Sequence, residues 1–377
     1  MAPAIDERIA KVIIWALYCV GLYFSLFWLN VLLFNPDENS RKERKRWPGV
    51  TIILPMYNEE GNIEETLESI YGLDYPKNKL KVICVNDGST DNTLKILKRL
   101  NKKWDFTLIN KKNGGKHTAL NVALERVDTP YFACFDADSL TEPYSLKKML
   151  EEFDSPKVGA VMPIMKVYRP ENVLQRVQWL EYAMNIFYKY IMGKLDCVHV
   201  TPGPFSTYRT SVVKKLGGFS RGHGTEDLEI AFRLQNIHYK LKQSISAIVY
   251  TKSPKTAKAF VSQRVRWYRG TLLNVKDYRH FLFNKKYGDF GVYHMPLVAT
   301  TGLLALLGVL TIIYLFLKEI YFMVKRMYMT HFDFWTYITT YNFNFSLLDL
   351  NWQVLFTTGV LFTLIFVIIY LSFISTR

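Results

Sequence analysis

Short apolar runs alternate with helical patterns over the first part of the polar region of this chain. β-Branched runs that end in turn residues lie at 50–55, 81–86 and 131–135, with a weaker one at 107–110. Helical periodicity separates them at 63–71, 93–100 and 117–126. This alternation predicts an α/β fold with a mainly parallel sheet that helices cover on both faces. Ligands bind such sheets beyond the carboxyl ends of the strands.

Two later segments have a mixed character. Residues 172–192 predict an amphipathic helix, which either packs on the sheet or lies on a membrane surface. Residues 254–275 combine Lys and Arg with aromatic and aliphatic side chains and precede an apolar stretch. We expect this second segment to be an interfacial helix.

Three stretches, at 12–34, 295–317 and 354–374, are apolar and long enough to cross a hydrocarbon core of roughly 30 Å. The basic run at 41–47 places the following domain in the cytosol by the positive-inside bias, and residues 318–353 are rich in interfacial aromatic residues. The sequence therefore predicts an integral protein of the cell (plasma) membrane whose main domain is cytosolic.

The charge balance limits the classes of partner. Lys and Arg exceed Asp and Glu by 15 among 377 residues, which favours anionic partners such as lipid headgroups and phosphorylated substrates. Nucleic acid is disfavoured because the basic residues are scattered and form no known reading motif. The four cysteines lie far apart without metal-ligand spacing, which is typical of reduced thiols.

An acidic pair follows the third strong strand. Asp136 and Asp138 are two residues apart, so both side chains can project from the end of the strand. Hard carboxylate ligands of this kind suit Mg²⁺ or Mn²⁺, which usually arrive with substrate phosphates. A calcium loop is excluded, because its sixth position would need Gly where Thr141 stands.

Two turns carry further candidates. Asp87 lies in a strand-to-helix turn, which taken alone is an ordinary turn. Gly114 and Gly115 would let backbone amides approach a phosphate, and Lys116 would supply a cation. A P-loop is excluded, because His117 stands where that motif needs Ser or Thr.

Two more motifs each have a plain structural explanation. Thr225, Glu226 and Asp227 begin a helical pattern, where acidic residues favour the helix dipole. The segment at 263–267 reads QRVRW, which is compatible with a basic helix attracted to anionic lipid.

Taken together and in order, these motifs resemble the membrane-integrated family-2 glycosyltransferases, which include cellulose, chitin, hyaluronan, poly-N-acetylglucosamine and chitooligosaccharide synthases. The resemblance covers residues 50–270 and depends on PMYNEE, NDGS, NGGKHTALN, DAD, TPGPFSTYR, TED and QRVRW. It implies a GT-A fold, which is Rossmann-like, with transmembrane and interfacial helices. It also implies a UDP-sugar donor and a Mg²⁺ or Mn²⁺ cofactor.

The resemblance further implies a donor site. Asp87 would hold the uracil, Tyr57 and Glu59 would line the nucleotide pocket, and Lys116 would contact the uridine diphosphate. Asp136 would face the donor sugar and ribose and share the metal site with Asp138.

The same resemblance assigns the acceptor side. Asp227 would be the general base, with Glu226 and Asp138 as further catalytic residues. Trp267 would form a platform for the acceptor sugar, and Thr225 would also contact the acceptor. Three side chains of the QRVRW segment would steady the diphosphate: Gln263, Arg264 and Arg266.

The residue types fit this chemistry independently. A divalent cation, Lys and Arg can stabilise the charge that grows as a glycosyl diphosphate bond breaks. One base can deprotonate a hydroxyl that attacks from the opposite face, which predicts inversion at the anomeric carbon. Tryptophan suits the apolar faces of sugar rings.

The leading hypothesis is an inverting synthase that lengthens a β-linked polysaccharide from UDP-N-acetylglucosamine or UDP-glucose. The alternative is transfer of one sugar to a lipid acceptor. A transporter or membrane scaffold is disfavoured, because the apolar stretches contain almost no ionisable residues. Three spans could hardly enclose a channel in one protomer, so export through its own pore would need a homo-oligomer. We expect four regions: an amino-terminal span and basic segment at 1–47, a donor half at 48–170, an acceptor half at 171–285 and carboxyl-terminal spans at 286–377.

Overall fold

The computed structural model describes residues 3–34, 46–329, 331, 333, 335, 356–360, 362–364, 366–367 and 370. It contains ten numbered helices and eight strands in these ranges. The helices are α1 Pro3–Phe34, α2 Ile63–Tyr71, α3 Thr93–Leu100, α4 Lys116–Glu125, α5 Ser145–Glu151, α6 Val173–Lys194, α7 Thr210–Lys215, α8 Glu226–Asn236, α9 Ala257–Asp277 and α10 Met295–Met329. The strands are β1 Val50–Met56, β2 Leu80–Asp87, β3 Thr107–Lys111, β4 Tyr131–Cys134, β5 Ser139–Thr141, β6 Val158–Val167, β7 Thr207–Arg209 and β8 Lys240–Thr251.

All eight strands form one sheet, in the order β3-β2-β1-β4-β7-β6-β8-β5. The first four are parallel to one another, which confirms the predicted strand–helix alternation. The rest of the sheet is mixed, because β7 runs antiparallel to both of its neighbours and β5 runs antiparallel to β8. The carboxyl ends of β1, β2 and β4 therefore lie side by side at one edge, as the sequence predicts.

Strands β1 and β4 are buried along their whole length, because both faces of the sheet are covered there. Ile52 and Leu54 of β1 pack in one core, and Ile53 packs in the core on the opposite face. Cys84 and Cys134 are likewise buried on opposite faces. Among the described residues, all four cysteines are free thiols, and Cys19 is exposed whereas the other three are buried.

The chain divides into two compact units. One contains residues 1–34 and 297–370, and the other contains the sheet within residues 35–296. Within the described residues, one helical stretch, Phe290–Met329, is long and apolar enough to cross a membrane, and Tyr18–Leu32 is a shorter apolar stretch. The basic run at 41–45 and most of the predicted segment beyond residue 329 lie outside the described residues.

The two later segments in which polar and apolar residues are interspersed both form helices. The amphipathic pattern at 172–192 is α6, whose first turn is capped by Asn172: its side chain accepts a hydrogen bond from the backbone N–H of Gln175 at 2.9 Å. The basic and aromatic segment is α9, and it is capped in the same way by Thr256. Arg264 of α9 joins these helices through an ion pair of 2.6 Å with Glu181 of α6.

Candidate active site at the carboxyl ends of the strands

A cavity of about 230 Å³ lies at the edge where β1, β2 and β4 end. Its lining residues come from the last residues of β1 and β2, from the segments that follow β1 and β4, and from the start of α4: Pro55, Met56, Tyr57, Glu59, Asp87, Lys116, Asp136, Ala137 and Asp138. The five predicted donor-binding residues outside the QRVRW segment are all in this set. Parallel strands place their carboxyl ends together, which is why motifs distant in sequence meet here.

Asp87 is held rigidly at the end of β2. Its buried carboxylate accepts hydrogen bonds from the backbone N–H groups of Gly114 at 3.1 Å and Gly115 at 2.8 Å. It also forms an ion pair with Lys111, its register partner on β3. The two glycine amides thus bind a carboxylate, where the sequence had suggested a phosphate. Sequence reasoning missed Lys111, although its place opposite Asp87 follows from pairing β2 with β3.

The backbone conformation at position 115 requires glycine. Gly115 has φ of +89°, a left-handed conformation that a side chain would strain, and it immediately precedes α4. This turn directs both amides at Asp87 and begins the helix with Lys116.

Lys116 links the two halves of the site. Its Nζ lies 2.6 Å from Asp136 Oδ1 and 3.4 Å from Glu226 Oε1. Burial alone would lower the pKa of Lys116, but the carboxylates of Asp136 and Glu226 outweigh it and hold the pKa well above the usual value. Lys116 is therefore a fixed cation between the DAD and TED motifs.

Asp138 lies in a site with excess negative charge. Burial, and then the nearby carboxylates of Asp136 and Glu59, raise its pKa to about 6. A bound cation would relieve this repulsion, so the residues fit a divalent metal. The described residues contain no group of three or more His, Cys, Asp or Glu side chains that could hold a metal alone. The fit is therefore to an ion held by two carboxylates and by the substrate's phosphates.

Gly203, within the TPGPFSTYR motif, lies against the ion pair of Lys116 and Asp136. A Cβ atom built at this position would lie 2.5 Å from both Asp136 Oδ2 and Lys116 Nζ. Only glycine lets the backbone pass this close to the ion pair. The motif by itself does not reveal this close approach.

Asp227 lies in the first turn of α8. The backbone N–H and hydroxyl of Thr201 donate hydrogen bonds to the Asp227 carbonyl at 3.2 and 2.8 Å. Burial, and then the charge of Glu226, raise the pKa of the Asp227 carboxyl to about 6. A carboxylate with a raised pKa accepts a proton more readily than an ordinary one, as a general base requires.

Thr225 is buried beside α9. Its hydroxyl donates to the Gly222 carbonyl at 2.8 Å and accepts from the Asn274 amide at 3.1 Å. A Cβ atom at Gly270 would lie 2.5 Å from the Thr225 side chain, so α9 and the start of α8 are in close contact. These contacts fix the start of α8.

The QRVRW side chains contact helices and loops around the site. Arg264 stacks on Trp267, with the guanidinium 4.4 Å from the ring centroid, and also pairs with Glu181. Arg266 donates to the Gly224 carbonyl at 3.1 Å. Within the described residues, the buried Gln263 Oε1 and Arg264 Nε have no hydrogen-bond partner. None of these residues lines the 230 Å³ cavity, so their contact with a diphosphate stays a prediction.

A larger cavity of about 620 Å³ lies elsewhere, between the loop that precedes α8 and the helix α9. Its lining includes Arg221, Glu229, Arg269 and Asp277. It contains neither acidic residue of the DAD motif, and we therefore place the candidate active site in the smaller cavity.

Comparisons with known proteins agree with this geometry. Residues 51–217 match the model of glycosyl transferase family 2. The chain is 29% identical over 261 residues to a poly-beta-1,6-N-acetyl-D-glucosamine synthase of Staphylococcus epidermidis, covering 68% of this chain and 63% of that protein. A synthase of the same name from Staphylococcus aureus is 30% identical over 261 residues, covering 68% and 62%. The chain thus spans less than two thirds of the length of these relatives.

A solved structure confirms the fold. A mannosyltransferase from Pyrobaculum calidifontis, in complex with GDP-Man and Mn²⁺, superposes with a TM-score of 0.64 and 23% identity, covering 80% of this chain and 86% of that one. The sheet is accordingly of the GT-A type, and residues 51–217 form a family-2 glycosyltransferase domain.

Proposed function

We propose that this protein transfers a sugar from a UDP-sugar, UDP-N-acetylglucosamine in the first instance, to a growing β-linked polysaccharide at the membrane. One observation carries the proposal: Lys116 forms ion pairs with both Asp136 and Glu226. This contact brings the donor motif and the TED motif to one point, although they are far apart in the chain. The similarity to poly-N-acetylglucosamine synthases supports the choice of donor sugar.

In the proposed reaction, an acceptor hydroxyl oxygen attacks the anomeric carbon of the donor. The bond between that carbon and the diphosphate oxygen breaks, and UDP leaves with the bonding electron pair. Asp227 takes the hydroxyl proton as the new glycosidic bond forms, and later releases it to solvent. Attack from the face opposite the leaving group inverts the anomeric configuration.

The donor residues each act on one part of the nucleotide sugar. Asp87, fixed by the Gly114 and Gly115 amides, would hold the uracil, while Tyr57 and Glu59 line the nucleotide pocket. Lys116 would stabilise the charge that develops on the diphosphate. Asp136 and Asp138 would hold Mg²⁺ or Mn²⁺, which would neutralise phosphate charge when bound.

The acceptor side is formed by α8 and α9. Trp267 would stack on the acceptor sugar, and its ring is held in place by Arg264. Gln263, Arg264 and Arg266 would reach the diphosphate once donor binds. Thr225 is buried, so we propose that it positions Asp227 through the start of α8 and does not itself touch the acceptor.

We propose that the sheet unit works at a cytosolic membrane surface. Both α6 and α9 carry exposed apolar side chains at intervals of three or four residues, which form a stripe on each helix. These are Val173, Val177, Leu180 and Met184 on α6, and Val261, Val265, Tyr268 and Leu272 on α9. Exposed cations accompany the stripes at Arg176, Lys258 and Arg269. Apolar stripes with flanking cations are typical of helices that lie in the headgroup region.

Purified full-length protein with labelled UDP-N-acetylglucosamine tests the proposal. We expect UDP release and a ladder of sugar products that both stop in excess EDTA and return with Mg²⁺ or Mn²⁺. A single lipid-linked sugar would support the alternative of transfer to a lipid acceptor. UDP release that is equally fast in EDTA with every donor tried would contradict the metal-dependent mechanism.

A further inference from the structure

The larger cavity, of about 620 Å³, lies against the segment that leads into the TED motif. One wall is residues 220–224, which directly precede Thr225. The other wall is α9, where Arg269, Leu273 and Asp277 follow at intervals of four residues and so form one row on the helix surface. Cavities of roughly 300–1,000 Å³ are those in which proteins usually bind small ligands. The cavity is thus large enough for a ligand and adjoins the start of α8.

Two arginine side chains in this lining have no counter-charge. Arg221 comes from the loop wall and Arg269 from α9, and both are exposed. Among the residues that the structure describes, neither guanidinium takes part in an ion pair or a side-chain hydrogen bond. A guanidinium presents several N–H donors in a fixed plane, which matches the oxygen atoms of a phosphate. Two uncommitted arginines on two walls of one cavity therefore favour a phosphate-bearing ligand.

The carboxylates in the same lining already have protein partners. Glu229 forms an ion pair of 2.8 Å with Arg233 and accepts a hydrogen bond of 2.7 Å from the Tyr278 hydroxyl. Asp277 contacts His223 Nε2 at 2.7 Å. Because both acids are engaged in this way, the charge that remains available to a ligand is positive.

The cavity borders the apolar stripe of α9. Arg269 lies four residues after Val265 and three before Leu272, so it is their neighbour on the helix surface. Both apolar side chains are more than half exposed. A helix that lies in the headgroup region has lipid phosphates beside the edge of its apolar stripe. The ligand that fits this position is therefore the phosphodiester of an anionic lipid headgroup.

Hydrogen bonds connect the loop wall to α9. The Asn274 side chain donates to the Gly222 carbonyl at 2.9 Å and to the Thr225 hydroxyl at 3.1 Å. Gly222, His223 and Gly224 all have positive φ, of +51°, +55° and +87°. Since His223 is not glycine, its conformation depends on the contacts that hold it. The TED motif follows at once, so a ligand that joins the two walls would also fix the start of α8.

We infer that this cavity binds the phosphodiester of an anionic phospholipid between Arg221 and Arg269, and that the bound lipid stimulates transfer by fixing the loop ahead of Asp227. Among the described residues, none lines both this cavity and the donor cavity. The stimulation rests on the proposed function, whereas the binding of lipid does not.

Binding of short-chain lipids to the purified full-length protein tests the site. The probes are dihexanoyl phosphatidylglycerol, its zwitterionic phosphatidylcholine counterpart, and glycerophosphoglycerol, which is the same headgroup without acyl chains. We expect the Kd for phosphatidylglycerol to be about tenfold lower than for either of the others. Arg221→Gln and Arg269→Gln should each raise that Kd about tenfold. Lys258→Gln removes an exposed cation elsewhere on α9, so it is the matched control and should leave the Kd unchanged.

Turnover in nanodiscs tests the coupling to transfer. With UDP-N-acetylglucosamine as donor, we expect wild-type kcat to rise about fivefold when phosphatidylglycerol is added to phosphatidylcholine nanodiscs. Both arginine variants should lose this stimulation, and Lys258→Gln should keep it.

Equal affinity of the wild-type protein for the two lipids would overturn the inference. Equal affinity for the free headgroup would overturn the assignment to a lipid and identify a soluble phosphodiester as the ligand. Arginine variants that bind phosphatidylglycerol as tightly as wild type would place the lipid elsewhere, and binding without stimulation would refute the coupling. Absence of turnover in both kinds of nanodisc would count against the proposed donor, while the Kd values would still decide whether the lipid site exists.

Discussion

Lys116 Nζ lies 2.6 Å from Asp136 Oδ1, at the point where the helix that follows the NGGK turn meets the segment that follows β4. The contact is possible because Gly203 leaves space for it, and Glu226 approaches the same ammonium at 3.4 Å. Donor and acceptor motifs are thus connected through one cation, and the predictions below concern groups on either side of it.

Asp227→Asn should remove transfer while leaving donor binding nearly intact. The amide cannot accept the acceptor's proton, and Asp227 is not among the residues that line the donor cavity. We expect kcat to fall by about 10²- to 10⁴-fold, with little change in UDP binding measured by calorimetry. Asp154→Asn, which removes an exposed carboxylate paired with Lys242, is the control. Near-normal turnover of the Asp227 variant would show that another group is the base.

The rate should fall as the pH is lowered through about 6. Asp227 must be ionised to accept a proton, and burial followed by the charge of Glu226 raises its pKa to about 6. A pH profile of kcat/KM at saturating metal should show this acidic limb. A rate that stays flat down to about pH 4.5 would be inconsistent with this base.

The same raised pKa predicts the direction of a stability change. The folded protein binds the Asp227 proton more tightly than the unfolded chain, whose pKa is near 3.8, so this carboxyl makes the protein less stable as the pH rises from about 4 to about 7. Asp227→Asn should therefore raise Tm relative to wild type at pH 8 and leave it almost unchanged at pH 4. Thermal unfolding at the two pH values measures the difference, and a larger gain at pH 4 would contradict it.

Gly203→Ala should disturb the site directly. The added methyl group would lie 2.5 Å from both Asp136 Oδ2 and Lys116 Nζ, so the ion pair must move apart. We expect kcat/KM to fall by about tenfold or more, since small displacements of reacting groups are costly. Gly193→Ala is the matched control, because its nearest new contact is Val198 at an ordinary 3.9 Å. Equal activity of the two variants would mean that the close approach has no functional consequence.

Trp267→Ala should weaken use of the acceptor more than binding of the donor. The indole is the proposed sugar platform and lies outside the donor cavity. Kinetics with the acceptor varied should show a rise in KM of about tenfold, against little change in the KM for the UDP-sugar. Tyr268→Ala changes the adjacent exposed aromatic residue and is the control. An equal loss for both substrates would assign the indole a structural role.

The order of the helices and strands could be predicted from local sequence patterns. Helices α2 and α3 have the bounds that periodicity predicts, and the four parallel strands lie where the β-branched runs are. Local sequence is sufficient here because each helix or strand has its own hydrophobic periodicity and is bounded by turn residues. The donor residues could be grouped in advance for the related reason that parallel strands bring their carboxyl ends to one edge.

Contacts between distant segments were not predictable in this way. No local pattern assigns Lys111 to Asp87 or Gly203 to the Lys116 ion pair.

The strand–helix alternation, the family resemblance and the motif residues at the strand ends can all be predicted from the amino-acid sequence, because they depend on short-range periodicity and on side-chain chemistry. The folded arrangement sets which charges are neutralised. It pairs Lys116 with two carboxylates and turns the Gly114 and Gly115 amides toward Asp87. Such pairings depend on distances of a few ångströms between residues far apart in the chain, and the free energy of a charge is set by those distances and by burial.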